Sequence, residues 1–352
     1  MRHPLDGAEA ITTKSEALVR LQMGLKQMKI ATKLLTLLLG VGILPLLFMG
    51  WIVLEKSGAA LSNQAFAQLE SLRDVKKLEV ERYFNRLHSQ MVTFSENRMV
   101  VTSLRQLKQV HSGFGMENQV NPSSLPTLKQ SLKRFYINNF NQEYRRRNDG
   151  QDSGLDGKLG FLEETTIALQ YHYLLMDSNP IGEKNLLDKA GDQSTYTRIH
   201  EVYHPSFRNY AKEFNYSDLY LIDSETGHII YSVSKGIDFG TSLRSGLFSE
   251  SPFAAVFQHA ADAQDKDAVS MSDFSLYPAA FNEPVLFIAS PVVEGGSTIG
   301  VVAFQINSDG LNQIMNERSG MGETGETFLV GPDHLMLSDS ITDSQNRSVV
   351  AS

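Results

Sequence analysis

The sequence predicts an α+β fold in which a long helical part precedes an antiparallel sheet. Two observations predict it. Apolar residues recur at helical spacing in residues 57–214, and short β-rich runs separated by turn residues follow from residue 218. A third observation, an uncharged run near the N-terminus, predicts a membrane anchor. Helices followed by successive strands are typical of a sheet that helices cover on one face.

The composition is that of a globular protein and excludes several classes of function. Of the 352 residues, 41% are hydrophobic and 20% are charged, and the net charge is -8. A chain this acidic lacks the basic footprint of a nucleic-acid-binding protein. Cysteine is absent, which excludes a disulfide framework, a Cys-ligated zinc ion and a thiol nucleophile.

Residues 34–54 are the predicted transmembrane helix. The run has 21 residues without a charge, which is long enough to cross a hydrocarbon core of roughly 30 Å. Three lysines shortly before it place residues 1–33 in the cytoplasm, as a tail, and residues 55–352 outside the cell membrane. Two alternatives remain open: a buried helix of a soluble protein, and a signal peptide cleaved near 65–67, which has a small-x-small pattern.

Residues 55–214 are predicted to form a long helix and a helical subdomain, with further helices at 127–145, 160–177 and 194–214. The long helix carries a seam of apolar residues at steps of four and three. The seam consists of Val80, Phe84, Leu87, Met91 and Phe94, and it continues toward the membrane through Leu61, Ala65, Leu69 and Leu72. It is either a contact between two copies of the chain or a core-facing stripe within one subunit.

Residues 215–310 are predicted to form a five-stranded antiparallel sheet with one covering helix. A hairpin at 218–233 turns at Ser224-Glu225-Thr226-Gly227, and a helix at 248–261 follows it. Three further strands are predicted over 269–277, 285–293 and 298–306.

Residues 311–352 are predicted to form a linker helix and the start of a second module like the first. The new module begins with strands at 327–331 and 334–340. We expect the chain to stop before that module closes.

Three blocks, at 203–243, 273–292 and 320–340, carry a resemblance to a known family. They resemble the double-Cache extracytoplasmic sensor region of bacterial transmembrane receptors, such as methyl-accepting chemotaxis proteins, sensor histidine kinases and membrane-bound nucleotide cyclases. The resemblance covers roughly residues 30–352. It implies two stacked PAS-like modules on a membrane-anchored helix, a small-molecule pocket in the membrane-distal module, here 215–310, and a place in the bacterial inner membrane with the sensor in the periplasm.

The chain departs from this family pattern in two respects. It lacks the arginine-tryptophan-tyrosine signature of the amino-acid-binding branch, so no amino-acid ligand is carried over. It also contains no methyl-accepting, kinase or cyclase segment, so the output domain is not identified. The predicted function is a small-molecule sensor without enzymatic activity or cofactor, which forms a homodimer through the long helix.

Polar residues that interrupt apolar strands are the candidates for the ligand pocket. An aspartate there would face a ligand cation, while tyrosines would supply hydroxyl donors and stacking surface. Because side chains alternate along a strand, only one parity of positions lines the pocket. The candidates are Tyr220, Tyr231, Asp273, Tyr277 and Ser290.

Two other hypotheses remain open. His200, Glu201 and His204 have the H-E-x-x-H spacing of a zinc peptidase, in which the glutamate activates a metal-bound water. Against it, Pro205 is predicted to break or kink the helix directly after His204, and nothing singles out a third ligand. No metal site is therefore predicted. The remaining hypothesis is a structural ectodomain with an occluded pocket.

Overall fold

The computed structural model describes residues 29–331, 334–343 and 349. The chain divides into two compact units, Met1–Val75 and Lys76–Ser352. The end of the predicted cytoplasmic tail is described from residue 29 onward, and the rest of that tail lies outside the described residues.

The first helix, α1, spans Ile30–Ser95 and contains Pro45. Among the described residues it is the one helix that is long and apolar enough to cross a membrane, judged by length and composition. None of its most apolar 18-residue window is buried. The span predicted over 34–54 therefore lies within a continuous helix of suitable length and polarity.

Short helices connect α1 to the sheet. Asn97 caps the first of them by accepting the Met99 N–H at 2.8 Å, and Ser194 caps the last by accepting the Thr197 N–H at 3.1 Å. These helices are α2 (Arg98–His111), α3 (Phe114–Glu117), α4 (Leu125–Phe135), α5 (Asn141–Arg147), α6 (Glu164–Gln170) and α7 (Thr195–Glu213). Short 3₁₀ turns lie at Asp156–Phe161 and Lys184–Leu186.

Two of these helices pass directly into a π-helical turn. One turn, Tyr136–Phe140, follows α4, and the other, Tyr171–Leu175, follows α6. Such turns are rare and frequently occur at functional sites. Residues of both turns line the cavity described below.

The apolar seam of α1 divides into a buried part and an exposed part. Leu87, Met91 and Phe94 are buried in the core of the second unit, so this part of the seam faces the core of one subunit. Leu61 and Leu69 are exposed. The predicted contact between two copies of the chain would therefore involve the exposed part.

The antiparallel sheet has the order β2-β1-β6-β5-β3, with β4 also paired to β5. Its strands are β1 (Asp218–Asp223), β2 (Ile229–Ser232), β3 (Ser270–Met271), β4 (Ser275–Tyr277), β5 (Glu283–Glu294) and β6 (Ser297–Asn307). Helix α8 (Pro252–Ala261) lies between β2 and β3, a 3₁₀ turn (Pro278–Ala280) follows β4, and α9 (Asp309–Asn316) follows β6. The α+β prediction is confirmed, and the architecture is consistent with a PAS-like module.

The two faces of the sheet are both covered, whereas the sequence predicted helices on one face. On the first face, Phe253 of α8 stacks on Phe287 of β5, with ring centroids 4.2 Å apart. On the second face, Phe304 of β6 lies 5.3 Å from Phe94 of α1, and Tyr231 of β2 lies 5.2 Å from Phe207 of α7. The second face therefore joins the sheet to α1 and α7.

Three details differ from the predictions. The strand predicted over 269–277 is divided into β3 and β4, so six strands replace five. The strands predicted over 327–331 and 334–340 are reduced, among the described residues, to one bridge between Val330 and Met336. A bridge of this kind has no neighbouring strand to extend it, and an isolated pair of strands is only marginally stable.

The third difference is at Pro205, where the sequence predicted a broken or kinked helix and the helix is not broken. Helix α7 continues through Pro205. Proline lacks the N–H that would have donated to the carbonyl of Glu201. Because Glu201 is an exposed residue, a water molecule can donate to that carbonyl instead. The opposite side of α7 buries His200, His204 and Phe207, and this packing holds the helix together across the proline.

Candidate functional site

A cavity of about 190 Å³ lies between the first face of the sheet and the helical subdomain. Its floor is Tyr220 of β1 and Gln305 of β6, and residues 234–238 after β2 form one wall. Phe140 and Leu174, one from each π-helical turn, close it from the helical side. Because a cavity of about 150 Å³ is enough for one benzene molecule, this cavity can hold a small metabolite.

Tyr220 faces the cavity as a result of strand alternation. It pairs with Ser232 across the hairpin, and its ring lies 4.8 Å from that of Phe253 on the first face. Its hydroxyl donates to Gln305 Oε1 at 2.8 Å. Burial raises the pKa of Tyr220 well above its usual value, so the floor is neutral and hydrogen-bonding.

Asp238 carries an unsatisfied carboxylate oxygen in the cavity wall. The residue is 1% exposed, and its Oδ2 accepts the Tyr277 hydroxyl at 2.9 Å. Its Oδ1 is buried and has no hydrogen-bond partner in the described structure. Burial, and then the charge of Asp218, raise the pKa of Asp238 to about 7. A Cβ at Gly236 would lie 2.6 Å from this Oδ1, so a larger residue at position 236 would displace the carboxylate.

Lys235 is a second charged group buried in the same wall. It is 2% exposed, and burial lowers the pKa of Lys235 to about 7. Its Nζ lies 3.1 Å from His204 Nε2 of α7, which makes it a direct contact between the cavity wall and that helix. Its backbone adopts the left-handed conformation, with φ 52°, which is costly for a residue other than glycine.

An ion pair and two stacked rings line another part of the cavity. Arg147 donates from Nη1 to Glu283 Oε1 at 2.7 Å, and its guanidinium lies 4.4 Å from the centroid of the Phe281 ring. Phe281 in turn stacks on Phe140 at 5.1 Å. All four residues line the cavity, so a ligand inside it can contact this group.

The structure distributes the five predicted site residues over different places. Tyr220 lines the cavity, and Tyr277 contacts the cavity wall through Asp238. Tyr231 pairs with Leu221, so it lies on the second face, where its hydroxyl contacts His204 Nδ1 at 2.6 Å. Asp273 is exposed on the connection between β3 and β4, and the buried Ser290 donates to Ser95 Oγ at 3.3 Å.

Sequence reasoning missed Lys235, Asp238 and Gln305. The first two lie in 234-SKGIDFG-240, which follows β2 and has the glycine content of an ordinary loop. The signal that could have found them is a pair of opposite charges close to Gly236, with the lysine directly before it and the aspartate two residues after it. Gln305 is a polar residue within the apolar run of β6, and its side chain lies on the same face of the sheet as that of Tyr220. Strand alternation alone could have added Gln305 to the predicted site residues.

The two histidines of the H-E-x-x-H sequence stack on each other, with ring centroids 4.5 Å apart. His200 Nδ1 lies 2.9 Å from Asp188 O, and both ring nitrogens of His204 have protein partners. Glu201 points to solvent and pairs with Lys189 at 2.9 Å. Across the described residues, no group of three His, Cys, Asp or Glu side chains is placed to hold a metal ion. The zinc peptidase hypothesis has no support.

No family model matches the sequence, and no curated protein matches it. Several solved structures do. The ligand-binding domain of the Pseudomonas fluorescens chemoreceptor CtaA, in complex with L-serine, is 23% identical with a TM-score of 0.28, and the match covers 38% of this chain and 52% of that one. The present chain thus spans about half the length of that domain.

Two further matches come from other organisms. The Vibrio cholerae histidine kinase DctB sensor domain is 15% identical, with a TM-score of 0.27 and coverage of 49% of this chain and 57% of that one. The Campylobacter jejuni chemoreceptor Tlp3 ligand-binding domain, in complex with L-valine, is 16% identical, with a TM-score of 0.31 and coverage of 72% and 79%. All three are ligand-binding or sensor domains.

Proposed function

We propose that this chain is the small-molecule-sensing region of a membrane receptor and that the cavity around Asp238 is its ligand site. The observation that carries the proposal is the buried Oδ1 of Asp238, which has no partner in the described structure. A buried polar atom without a hydrogen bond costs roughly 1–3 kcal/mol. A ligand that donates a hydrogen bond to this oxygen would recover that free energy, and an ammonium group would recover the most because it also neutralises the charge.

Occupation of the cavity has a physical route to α1. The floor residue Gln305 neighbours Phe304 in β6, whose ring packs on Phe94 of α1 and, at 4.2 Å, on Tyr216. A ligand that binds one arrangement of these groups better than another shifts the population between them. The shift is limited by that difference in affinity, and no catalytic step is involved.

Asp238→Asn is expected to weaken ligand binding at least tenfold, because a hydrogen bond to a charged group contributes roughly 1.5–3 kcal/mol. The matched control is Asp273→Asn, which changes an exposed aspartate and should leave binding unchanged. The measurement is a thermal-shift screen of amine, carboxylate and neutral metabolites on the full chain in detergent, since a ligand stabilises the folded state by RT ln(1 + [L]/Kd). Equal loss in both variants, or no stabilising compound for the wild type, would refute the proposed site.

We further propose that the chain lies in the bacterial inner membrane with residues 1–33 in the cytoplasm and 55–352 in the periplasm, and that it forms a homodimer through α1. The exposed Leu61 and Leu69 are available for that contact. Alkaline phosphatase fused after Ser352 is expected to be active in cells and β-galactosidase fused there inactive. The reverse pattern would contradict the proposed orientation.

A further inference from the structure

Lys235 is a buried lysine whose polar neighbours include no carboxylate. Among the described residues, its Nζ has three such neighbours: Lys184 O at 3.2 Å, Val233 O at 3.3 Å and His204 Nε2 at 3.1 Å. Buried lysines are normally paired with an acid, because an uncompensated buried charge is costly. The left-handed backbone of the same residue adds a second cost. Two costs at one cavity-lining residue indicate a functional role.

The protonation state of the His204 ring decides that of Lys235. Nε2 lies 2.8 Å from Asn185 O, and a carbonyl oxygen can only accept, so Nε2 carries the imidazole proton. Nδ1 then accepts the Tyr231 hydroxyl at 2.6 Å. The Nε2–H therefore cannot accept a proton from Lys235.

Counting donors and acceptors gives a neutral amine. A neutral amine has two N–H groups, which match the carbonyls of Lys184 and Val233. Its lone pair lies toward His204 Nε2, whose single N–H already donates to Asn185 O. An ammonium has a third N–H, for which the described structure offers no acceptor. The lowering of the lysine pKa to about 7 by burial agrees with this count.

We infer that Lys235 recognises an acidic group of the ligand, a carboxylate or another small oxyanion, and takes up a proton when that group binds. The anion would supply both the missing third acceptor and the missing counter-charge. This inference rests on the proposed function of the cavity as the ligand site. The binding step adds one proton from solvent to the Lys235 amine, and no covalent bond to the ligand forms or breaks.

The surroundings of Lys235 contain charges of both signs. Asp218 of β1 and the loop residues Asp177 and Asp188 act to raise its pKa, and Arg208 of α7 acts to lower it. Asp177 is itself paired with Lys184 at 3.7 Å, and Asp188 with Arg208 at 2.6 Å. Asp238 lines the same cavity and titrates in the same range, so a variant of Lys235 is needed to separate the two effects.

The test uses propionate and its uncharged isostere propionamide as probes of the full chain in detergent. Calorimetric titration at pH 8, in two buffers with different enthalpies of ionisation, should show uptake of about one proton per propionate bound, because the amine is mostly neutral at that pH without ligand. Above the lysine pKa, the Kd for propionate should rise by up to about tenfold per pH unit. Propionamide should show neither effect.

Lys235→Met removes the amine and keeps the length of the side chain. It should abolish proton uptake and reduce propionate affinity to that of propionamide, while Lys129→Met, a change of an exposed lysine, should leave both as in the wild type. If Lys235→Met does not fold, the two-buffer measurement on Asp238→Asn decides, because proton uptake that persists without the titratable Asp238 carboxyl belongs to Lys235. Propionate binding without proton uptake, no preference for propionate over propionamide, or no propionate binding at all would overturn the inference. If one of these outcomes occurs but a neutral or cationic compound stabilises the wild type, the inference about Lys235 is wrong and the proposed sensor function is still supported.

Discussion

Asp238→Asn is expected to stabilise the folded protein at pH 8 relative to the wild type. Burial raises the pKa of Asp238 from 3.8 to about 7, so the folded state prefers the protonated carboxyl. This preference contributes its full stabilisation below the pKa of the aspartate in the unfolded chain. The stabilisation is lost as the pH rises toward and through the pKa of Asp238 in the folded protein. The loss amounts to roughly 4 kcal/mol, at about 1.36 kcal/mol per pKa unit. Asparagine does not titrate and avoids it.

The measurement is the free energy of unfolding of both proteins in denaturant, followed by circular dichroism between pH 4 and pH 8. The free energy of unfolding of the variant minus that of the wild type should increase as pH rises. Taking this difference cancels the contributions of the other titratable groups, which both proteins share. Asp273→Asn is the control and should show no such trend, because Asp273 is exposed. A difference that stays constant across the pH range would show that Asp238 is not buried as described. If Asp238→Asn both stabilises the folded protein at high pH and weakens ligand binding, the carboxylate of Asp238 is retained for binding at the expense of stability.

Phe304→Ala is expected to destabilise the protein by about 3–5 kcal/mol, because it opens a cavity in a packed aromatic cluster. The Phe304 side chain is fully buried and contacts the rings of Phe94, Tyr210 and Tyr216 at 5.3, 5.9 and 4.2 Å. These residues come from α1, α7 and the segment before β1, so the substitution removes the contact that joins them to β6.

Phe161→Ala is the matched control for this substitution. Phe161 is 75% exposed, and its removal should change stability by no more than about 0.5 kcal/mol. Thermal and denaturant unfolding of the full chain would measure both. Similar effects of the two substitutions would contradict the packing of β6 against α1.

The elements of the sheet could be predicted from the sequence because their signals are local. The turn cluster Ser224-Glu225-Thr226-Gly227 marks the hairpin, which the structure places between β1 and β2. The nearly continuous apolar runs of β5 and β6 indicate central strands, and these two strands are paired along most of their length.

The predictions that failed depended on contacts rather than on local pattern. Pro205 has the local chemistry of a helix breaker, but the buried side of α7 outweighs it. The strands predicted over 327–331 and 334–340 have suitable composition, yet among the described residues they pair only at one bridge. Pattern alone does not report whether a strand has a neighbour.

For the candidate site, the sequence by itself supplied Tyr220 as one of five candidates and, through strand alternation, the rule that only one parity of positions shares its face. Only the tertiary structure decided that Tyr231 and Ser290 turn to the other face, and that Lys235 and Asp238 become buried beside the cavity. The reason is that desolvation of a charge, and the presence or absence of a partner for one of its atoms, depend on side chains brought together from distant parts of the chain. The cavity takes its wall from residues as far apart in sequence as Phe135 and Gln305, and no local pattern records that meeting.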